Sequence, residues 1–170
     1  EAAANGDYLL PLYFEGGNNP EATGADSSGL FLHYDVKQKV WKQTGRIRSA
    51  TGNIQPAVVE VRDDLLVAYC RRGGGYDPTT NGWLVRAESR DGGWTWSEGV
   101  NSSFKNPNAA VDFIKLRSGN LLLVLVGGDT GDAGKYYYYS RPDPSAQTGR
   151  FGRRKGRDTP ALAEETTVGS

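Results

Sequence analysis

The residues best suited to binding a ligand stand beside apolar runs in this sequence. Arg71 and Arg72 end one such run, and the guanidinium group of arginine can bind a carboxylate through two parallel hydrogen bonds. Gln55, Asn106 and Asn108 stand ahead of apolar runs, and their amide groups can donate to and accept from hydroxyl groups. This combination predicts a polar site that fits a sugar.

Several of these residues also have a purely structural interpretation. An arginine at the end of a strand can pair with a neighbouring acid. Strand alternation sends Arg71 and Arg72 to opposite sides of a sheet, which favours Arg71 over Arg72 as a binding residue. Asn106 precedes a proline, and an asparagine in that position commonly stabilises a turn.

Three carboxyl groups are candidates for acid or base chemistry, namely Glu15, Asp77 and Asp112. Asp112 lies near the start of an apolar run, where it can point into a central channel. Asp77 follows Tyr76 in a glycine-rich stretch, but adjacency in a loop does not make a catalytic pair. A solvated loop acid is therefore the favoured interpretation of Asp77.

The sequence predicts neither a metal nor a cofactor. His33 is the only histidine and stands beside Tyr34 in an apolar stretch, which favours a structural role. No spacing of cysteine and histidine is typical of zinc. The glycines at 73–75 lack the lysine that completes a phosphate-binding loop.

Composition excludes several classes of protein. The 170 residues contain 20 basic and 20 acidic residues, so no net charge attracts nucleic acid or anionic lipid. No apolar run approaches the roughly 20 residues that a membrane helix needs. The single cysteine, Cys70, cannot form an internal disulfide. Methionine is absent, which indicates a processed product or, as we favour, a piece of a longer protein.

The elements that position these residues are repeated strands. Residues 55–69 and 110–124 share one pattern, an apolar run, a polar turn and a second apolar run, at a spacing of about 55 residues that approaches propeller blades. One unit is predicted to have strands at 56–62, 65–71, 83–89 and 95–98. The predicted fold is therefore all-β, a partial β-propeller of about two and a half four-stranded antiparallel blades.

A tight turn joins the third and fourth predicted strands of this unit. Residues 89–96 read Ser-Arg-Asp-Gly-Gly-Trp-Thr-Trp, with fixed types at Ser89, Asp91, Gly93, Thr95 and Trp96. The aspartate can accept hydrogen bonds from backbone N–H groups, the glycine can take a positive φ, and the tryptophan can pack between strands. A degenerate copy at 33–41 is one residue longer and lacks the glycine.

This turn resembles the Asp-box of the sialidase superfamily, a structural motif in those proteins. The sequence segments 53–56 and 106–108 also resemble those of exo-α-sialidase-like proteins with BNR repeats. The likeness covers residues 6–140 and implies a fragment of a six-bladed propeller. It also implies that the ligand-binding loops lie on the face opposite the Asp-boxes, where residues 15–19, 53–55, 71–77, 106–108 and 127–132 would meet.

The resemblance implies a glycoside hydrolase of the exo-α-sialidase type, acting on terminal acidic sugars of glycans. Sialidases use a tyrosine nucleophile with an acid/base aspartate. Their Arg-Ile-Pro motif aligns with residues 54–56, so that Ile54 replaces an arginine of their triad. We therefore expect these residues alone to be inactive. The alternative is a non-catalytic Asp-box propeller that binds carbohydrate or protein.

The last part of the chain differs in composition from the rest. Residues 141–170 hold one aromatic residue and a basic run at 150–157, which predicts a disordered tail or an out-of-frame translation product. The expected partners are a glycan and the remaining blades of a longer propeller, with no nucleic acid and no membrane. Family resemblance slightly favours export to the periplasm or the extracellular space.

Overall fold

The computed structural model describes residues 6–15, 26–62, 64–72, 82–106, 109–127, 134–141, 150–155 and 165–166. Their regular structure is entirely β. The strands are β1 (Tyr8–Phe14), β2 (Ser28–Asp35), β3 (Val40–Gln43), β4 (Asn53–Arg62), β5 (Leu65–Arg72), β6 (Trp83–Ser89), β7 (Val100–Lys105), β8 (Val111–Lys115), β9 (Leu121–Gly127), β10 (Gly134–Arg141), β11 (Arg150–Lys155) and β12 (Glu165–Thr166). Among these residues no helix has the length and apolar character to cross a membrane.

The strands form three antiparallel sheets, and each sheet follows chain order. Blade 1 contains β1 to β3, blade 2 contains β4 to β7, and blade 3 contains β8 to β12. Sequential antiparallel strands in separate packed sheets are the arrangement of a propeller. The predicted all-β partial propeller is therefore confirmed.

Blade 3 continues into the segment that was predicted to lack regular structure. Strand β11 pairs with β10, and the two-residue β12 pairs with β11. Backbone pairing at a sheet edge requires little side-chain pattern, because the hydrogen bonds come from peptide groups. These two strands lie within residues 141–170, the segment predicted to be a disordered or out-of-frame tail. The rest of residues 142–170 lies outside the described residues.

The outer strand of blade 2 is β7, and the prediction of a strand at 95–98 was wrong. Asp91 accepts hydrogen bonds from the backbone N–H of Thr95 at 2.9 and 3.0 Å, which holds this stretch in a turn. The backbone N–H of Ser97 then donates to the carbonyl of Glu88 at 2.8 Å. The chain is free to pair as a strand only after Gly99.

Two apolar clusters lie on opposite faces of blade 2, as expected from strand alternation. Val58, Ala68 and Cys70 face blade 1, where they pack with Leu9 and Phe31. The other face of blade 2 packs against blade 3. This second cluster joins Val59, Val67, Tyr69, Leu84 and Phe104 to Phe113, Leu121 and Leu123. Blade 2 is thus the apolar layer between its neighbours.

The segment that connects blade 1 to blade 2 is fixed by backbone contacts on both sides. Ile47 donates to the carbonyl of Gly29 in blade 1 at 2.7 Å, while Gly99 of blade 2 donates to the carbonyl of Arg48, also at 2.7 Å. A Cβ at Gly99 would lie 2.5 Å from Val85 Cγ1. Only glycine therefore allows this close approach without movement of Val85.

Candidate functional site

Strand register places the predicted binding residues and the Asp-box at opposite ends of blade 2. Asn53 pairs with Arg72 at one end, where Trp83 also pairs with Lys105. Leu66 pairs with Ser89 at the other end. We call these ends the arginine face, defined by Asn53–Gln55, Arg71, Arg72 and Asn106, and the Asp-box face, defined by residues 89–96.

The Asp-box is held together by its own side chains. Ser89 Oγ donates to Asp91 Oδ1 at 2.7 Å and accepts from the backbone N–H of Gly93 at 2.9 Å. Thr95 donates to Asp91 through both its backbone N–H and its hydroxyl. Burial acts to raise the pKa of Asp91, but the hydrogen bonds from Thr95 and Ser89 and from the backbone of Trp94 outweigh it and lower that pKa.

The tryptophans of the Asp-box extend this turn to blade 1. Trp96 Nε1 donates to the carbonyl of Gly93 at 3.0 Å, and its ring stacks on Phe31 with centroids 4.9 Å apart. The Trp94 ring lies 4.2 Å from that of His33. His33 is buried, and its Nε2 lies 3.4 Å from Asp7 Oδ2. The histidine therefore belongs to the packing between blades.

The degenerate copy in blade 1 uses its aspartate in the same way. Asp35 Oδ1 accepts from the backbone N–H groups of Lys37 and Gln38 at 2.9 and 2.8 Å. Lys39 takes the left-handed conformation, with φ of 56°, and its backbone N–H donates to the Asp35 carbonyl at 2.7 Å. The extra residue and this conformation close the turn before Trp41.

A β-bulge at Gln55 changes which residues of β4 face each neighbouring blade. The register shifts between Ile54 and Pro56, so Ile54 pairs with Arg71 and Asn53 pairs with Arg72. Paired residues of antiparallel strands point to the same side of the sheet. Pro56 and Val58, which follow the bulge in the chain, face blade 1. Asn53, which precedes the bulge, faces blade 1 as well, although regular alternation from Pro56 would turn it to the opposite side. Gln55 itself has φ of 50°.

The bulge brings the Gln55 side chain to Arg71. Arg71 Nη1 donates to Gln55 Oε1 at 3.3 Å, and both side chains are half-buried. Arg72 lies on the other side of the sheet and is 6% exposed. The two arginines thus occupy different environments, and Arg71 is the one that shares a surface with Gln55.

Asn53 links blade 2 to blade 1 through its Oδ1 and to the connecting segment through its Nδ2. Its Oδ1 accepts from the Gly29 backbone N–H at 2.8 Å, and its Nδ2 donates to the Ile47 carbonyl at 2.9 Å and to Ser49 Oγ at 3.0 Å. Sequence reasoning placed Asn53 only in a loop that leads to a strand. The partners lie up to 24 residues away, so no local pattern could have identified this role.

Asn106 lies at the arginine face and is 1% exposed. Its Oδ1 accepts from the backbone N–H of Ala109 at 2.7 Å, and its own N–H donates to the carbonyl of Gly82. These contacts place Asn106 in the turn that leads to blade 3. Asn108 lies outside the described residues, so its predicted binding role stays a prediction.

The candidate acids are not brought together among the described residues. Asp112 is exposed on β8, and its Oδ1 accepts from the next backbone N–H, that of Phe113, at 2.9 Å. Glu15 is exposed at the end of β1. Asp77 lies outside the described residues. In the described part of the chain, no three acidic, cysteine or histidine side chains are grouped to hold a metal ion.

A charged network lies on β6 of blade 2 and at the turn that follows it. Arg86 Nη2 and Arg90 Nη2 donate to the two carboxylate oxygens of Glu88 at 2.6 and 3.0 Å. Burial acts to raise the pKa of Glu88, but the hydrogen bond and charge of Arg86, with those of Arg90, lower it overall. Burial raises the pKa of Tyr69, and Arg86 opposes that rise only in part. This network supports the sheet away from the arginine face.

A family model described as the BNR repeat-like domain matches residues 1–145. Among solved structures, a point mutant of NanB sialidase from Streptococcus pneumoniae is similar to this chain, with a TM-score of 0.67 and 17% sequence identity. The similar region covers 91% of this chain and 22% of the NanB chain. No curated protein sequence is significantly similar to the chain.

Two further solved structures share the fold. An intramolecular trans-sialidase from Ruminococcus gnavus is similar to 93% of this chain over 32% of its own, with a TM-score of 0.59 and 17% identity. For a protein of unknown function from Dyadobacter fermentans, the similar region covers 82% of this chain and 35% of that protein, with a TM-score of 0.59 and 19% identity. The fold is sialidase-like, and this chain spans about a third or less of these proteins.

Proposed function

Because the chain belongs to the BNR repeat-like domain family, we propose that it forms part of a sialidase-like glycoside hydrolase that acts on terminal acidic sugars of glycans. The observation that supports this proposal is Arg71. It lies on the arginine face, half-buried, and its Nη1 donates to Gln55 Oε1 at 3.3 Å. A positioned guanidinium is the group that binds a sugar carboxylate with geometric selectivity.

The neighbouring polar groups give Arg71 a role in binding rather than in bond cleavage. Gln55 adds an amide beside the guanidinium, and an amide can donate to a carboxylate or a hydroxyl oxygen. Glycoside hydrolysis needs a nucleophile or base and a general acid at defined separations. The described residues supply no such pair beside Arg71. We therefore propose that Arg71 binds the substrate and that other blades supply the catalytic groups.

A specific observation favours a second candidate, a non-catalytic propeller that binds carbohydrate or protein. Ile54 stands where the sialidase motif has its arginine, and it is 2% exposed. A buried isoleucine cannot bind a carboxylate, so this blade lacks one element of the sialidase triad. In this alternative, Arg71 and Gln55 hold an acidic ligand without turnover.

The remaining blades of a longer propeller are the proposed partner of this chain. One face of blade 1 exposes Tyr8, Leu10 and Trp41, which are 50%, 46% and 51% accessible. Leu9 and Phe31, on the opposite face, are covered by blade 2. An apolar face of this kind is stabilised by burial, and another blade would cover it as blade 2 covers Leu9.

Turnover of a fluorogenic sialoside distinguishes the two candidates. The assay compares the longer protein that contains this chain with its Arg71→Ala variant and with Arg62→Ala, an exposed arginine at the opposite end of β4. We expect turnover by the parent protein and by Arg62→Ala, and a loss of about tenfold or more in kcat/KM for Arg71→Ala. Binding of the sugar without turnover by any of them would support the second candidate, and equal turnover by Arg71→Ala would contradict the role of Arg71.

A further inference from the structure

Gln55 has an unusual backbone conformation for its residue type. Its φ of 50° lies in the left-handed region, which residues other than glycine, asparagine and aspartate rarely adopt. The next residue is Pro56, and a residue before proline is further restricted to extended conformations. Backbone preference alone therefore favours glycine or asparagine at this position. Strain of this kind accumulates at binding and catalytic sites, so the glutamine side chain is the feature to explain.

The contact with Arg71 fixes the orientation of the Gln55 amide. A guanidinium group only donates hydrogen bonds, so the amide must present its oxygen to Arg71 Nη1. Oε1 accepts that bond at 3.3 Å. The Nε2 group, on the other side of the same amide, then points its N–H donors away from the guanidinium. An arginine and an amide thus offer donors on one half-buried surface.

At position 54, where the sialidase motif has an arginine, this chain has isoleucine. Ile54 is buried and pairs with Arg71 across the strands, so position 54 provides no donor. The bulge that buries Ile54 is the same one that directs Gln55 to Arg71.

We propose that Gln55 is a specificity-determining residue of this site, whose amide Nε2 donates to the carboxylate of an acidic sugar beside Arg71. The inference rests on the proposed function, because it assigns a ligand to the same face. It predicts selection of the anionic sugar over an otherwise identical neutral sugar, since the two donors are matched to the carboxylate oxygens.

The test measures binding of a sialic acid methyl glycoside and of its carboxyl methyl ester to the 170-residue chain by ligand-observed NMR titration. Gln55→Gly removes the amide and suits the positive φ. Gln55→Asn also tolerates that φ but retracts the amide by one methylene. Gln55→Glu keeps the length and places a negative charge beside Arg71. Gln43→Glu, at an exposed position of β3, is the matched control for added charge.

We expect the parent chain to bind the acid more tightly than the ester. Gln55→Gly and Gln55→Asn should weaken binding of the acid by about tenfold and leave binding of the ester unchanged. Gln55→Glu should weaken binding of the acid further, and that loss should diminish at high salt. Gln43→Glu should match the parent. Thermal melting of each variant reports whether it is folded.

The outcomes separate this inference from the proposed function. If Arg71→Ala loses the preference for the acid while folded Gln55→Gly and Gln55→Asn keep it, the role of Gln55 is overturned and the proposed function stands. If Arg71→Ala binds the acid as tightly as the parent, both are overturned. If the parent chain does not bind the acid, the role of Gln55 is overturned, and turnover by the longer protein decides the proposed function separately.

Discussion

Asn53 of blade 2 and Gly29 of blade 1 are joined by a buried hydrogen bond, 2.8 Å between the asparagine Oδ1 and the glycine backbone nitrogen. A Cβ at Gly29 would lie 3.1 Å from that oxygen and 3.3 Å from Pro56. The absence of a side chain at Gly29 therefore allows β4 to approach β2 this closely. The link depends on the bulge at Gln55, because only the register beyond the bulge turns Asn53 toward blade 1.

Replacement of Asn53 should destabilise the chain strongly. Asn53→Ala leaves the Gly29 N–H and the Ile47 carbonyl without this buried partner, and each such group costs about 1–3 kcal/mol. We expect a loss of about 3 kcal/mol in the free energy of unfolding, measured by urea denaturation. Asn53→Asp should lose at least as much, because it keeps the acceptor for Gly29 but buries a carboxylate against the Ile47 carbonyl oxygen. The exposed Asn101 of β7 gives the control, Asn101→Ala, and an equal loss there would contradict the assignment.

A methyl group at Gly99 should disrupt the contact between blade 2 and the connecting segment. Its Cβ would lie 2.5 Å from Val85 Cγ1 and 3.2 Å from the Arg48 carbonyl, and overpacking of this kind costs about 1–3 kcal/mol. We expect Gly99→Ala to lower the melting temperature. Val85→Ala should partly rescue it, because the closest clash is with a Val85 methyl. Additive losses in the double variant would show that the strain lies elsewhere.

Local chemistry explains why the blade pattern was predictable. The side-chain hydrogen bonds that close the turn of residues 89–96 lie within these eight residues, so its residue types and spacing identify it from sequence alone. The alternation of apolar residues in β5 similarly predicts two covered faces. The same alternation predicts that Arg71 and Arg72, at the end of β5 on the arginine face, point to opposite sides of the sheet.

The parts that sequence did not predict depend on partners far along the chain. The outer strand begins at Val100 rather than at residue 95, because Asp91 holds Thr95 in the turn and Gly99 must first pass Arg48. Apolar periodicity at Thr95 and Trp96 is not distinguishable from that of a strand. The bulge at Gln55 has no sequence signal of the usual kind, since a glutamine before proline predicts extended backbone. Its consequence, the exchange of faces between Asn53 and Ile54, was therefore also unpredictable.

Loss of the Asp91 carboxylate should weaken the chain in a manner that depends on pH. The folded state lowers the pKa of Asp91 below its ordinary 3.8, so its contribution is present above that value and is lost as the pH falls through the folded-state pKa. We expect Asp91→Asn to be less stable than the parent at pH 7 by about 1–2 kcal/mol. The difference should shrink on acidification toward pH 3 and below in a series of urea melts. Asp26→Asn, at an exposed site, should show no such difference, and a gap at Asp91 that widens with acid would contradict the assignment.

The exposed apolar face of blade 1 should make the isolated chain associate. Tyr8, Tyr34 and Trp41 form a row of rings across β1, β2 and β3, with centroids 6.3 and 4.8 Å apart, and Leu10 extends the same face. Sedimentation velocity of the 170-residue chain should show concentration-dependent oligomers. The double variant Leu10→Ser with Trp41→Ser should shift the distribution toward monomer. Val100→Ser, at an exposed apolar residue of β7, should leave it unchanged, and a monomeric parent chain would contradict the need for a partner blade.

The Cys70 thiol should report unfolding of the contact between blades 1 and 2. Cys70 is fully buried in the apolar cluster between these two blades. Burial raises the pKa of its thiol well above the ordinary value. Because only the thiolate reacts with disulfide reagents and alkylating agents, the folded chain should remain unmodified near pH 8. Reaction should become rapid above the urea midpoint, and since this is the only cysteine, the signal belongs to a single site. Asn53→Ala should raise the labelling rate in native buffer, because opening of this interface exposes the thiol. Rapid labelling of the folded parent chain would contradict the packing of blade 2 against blade 1.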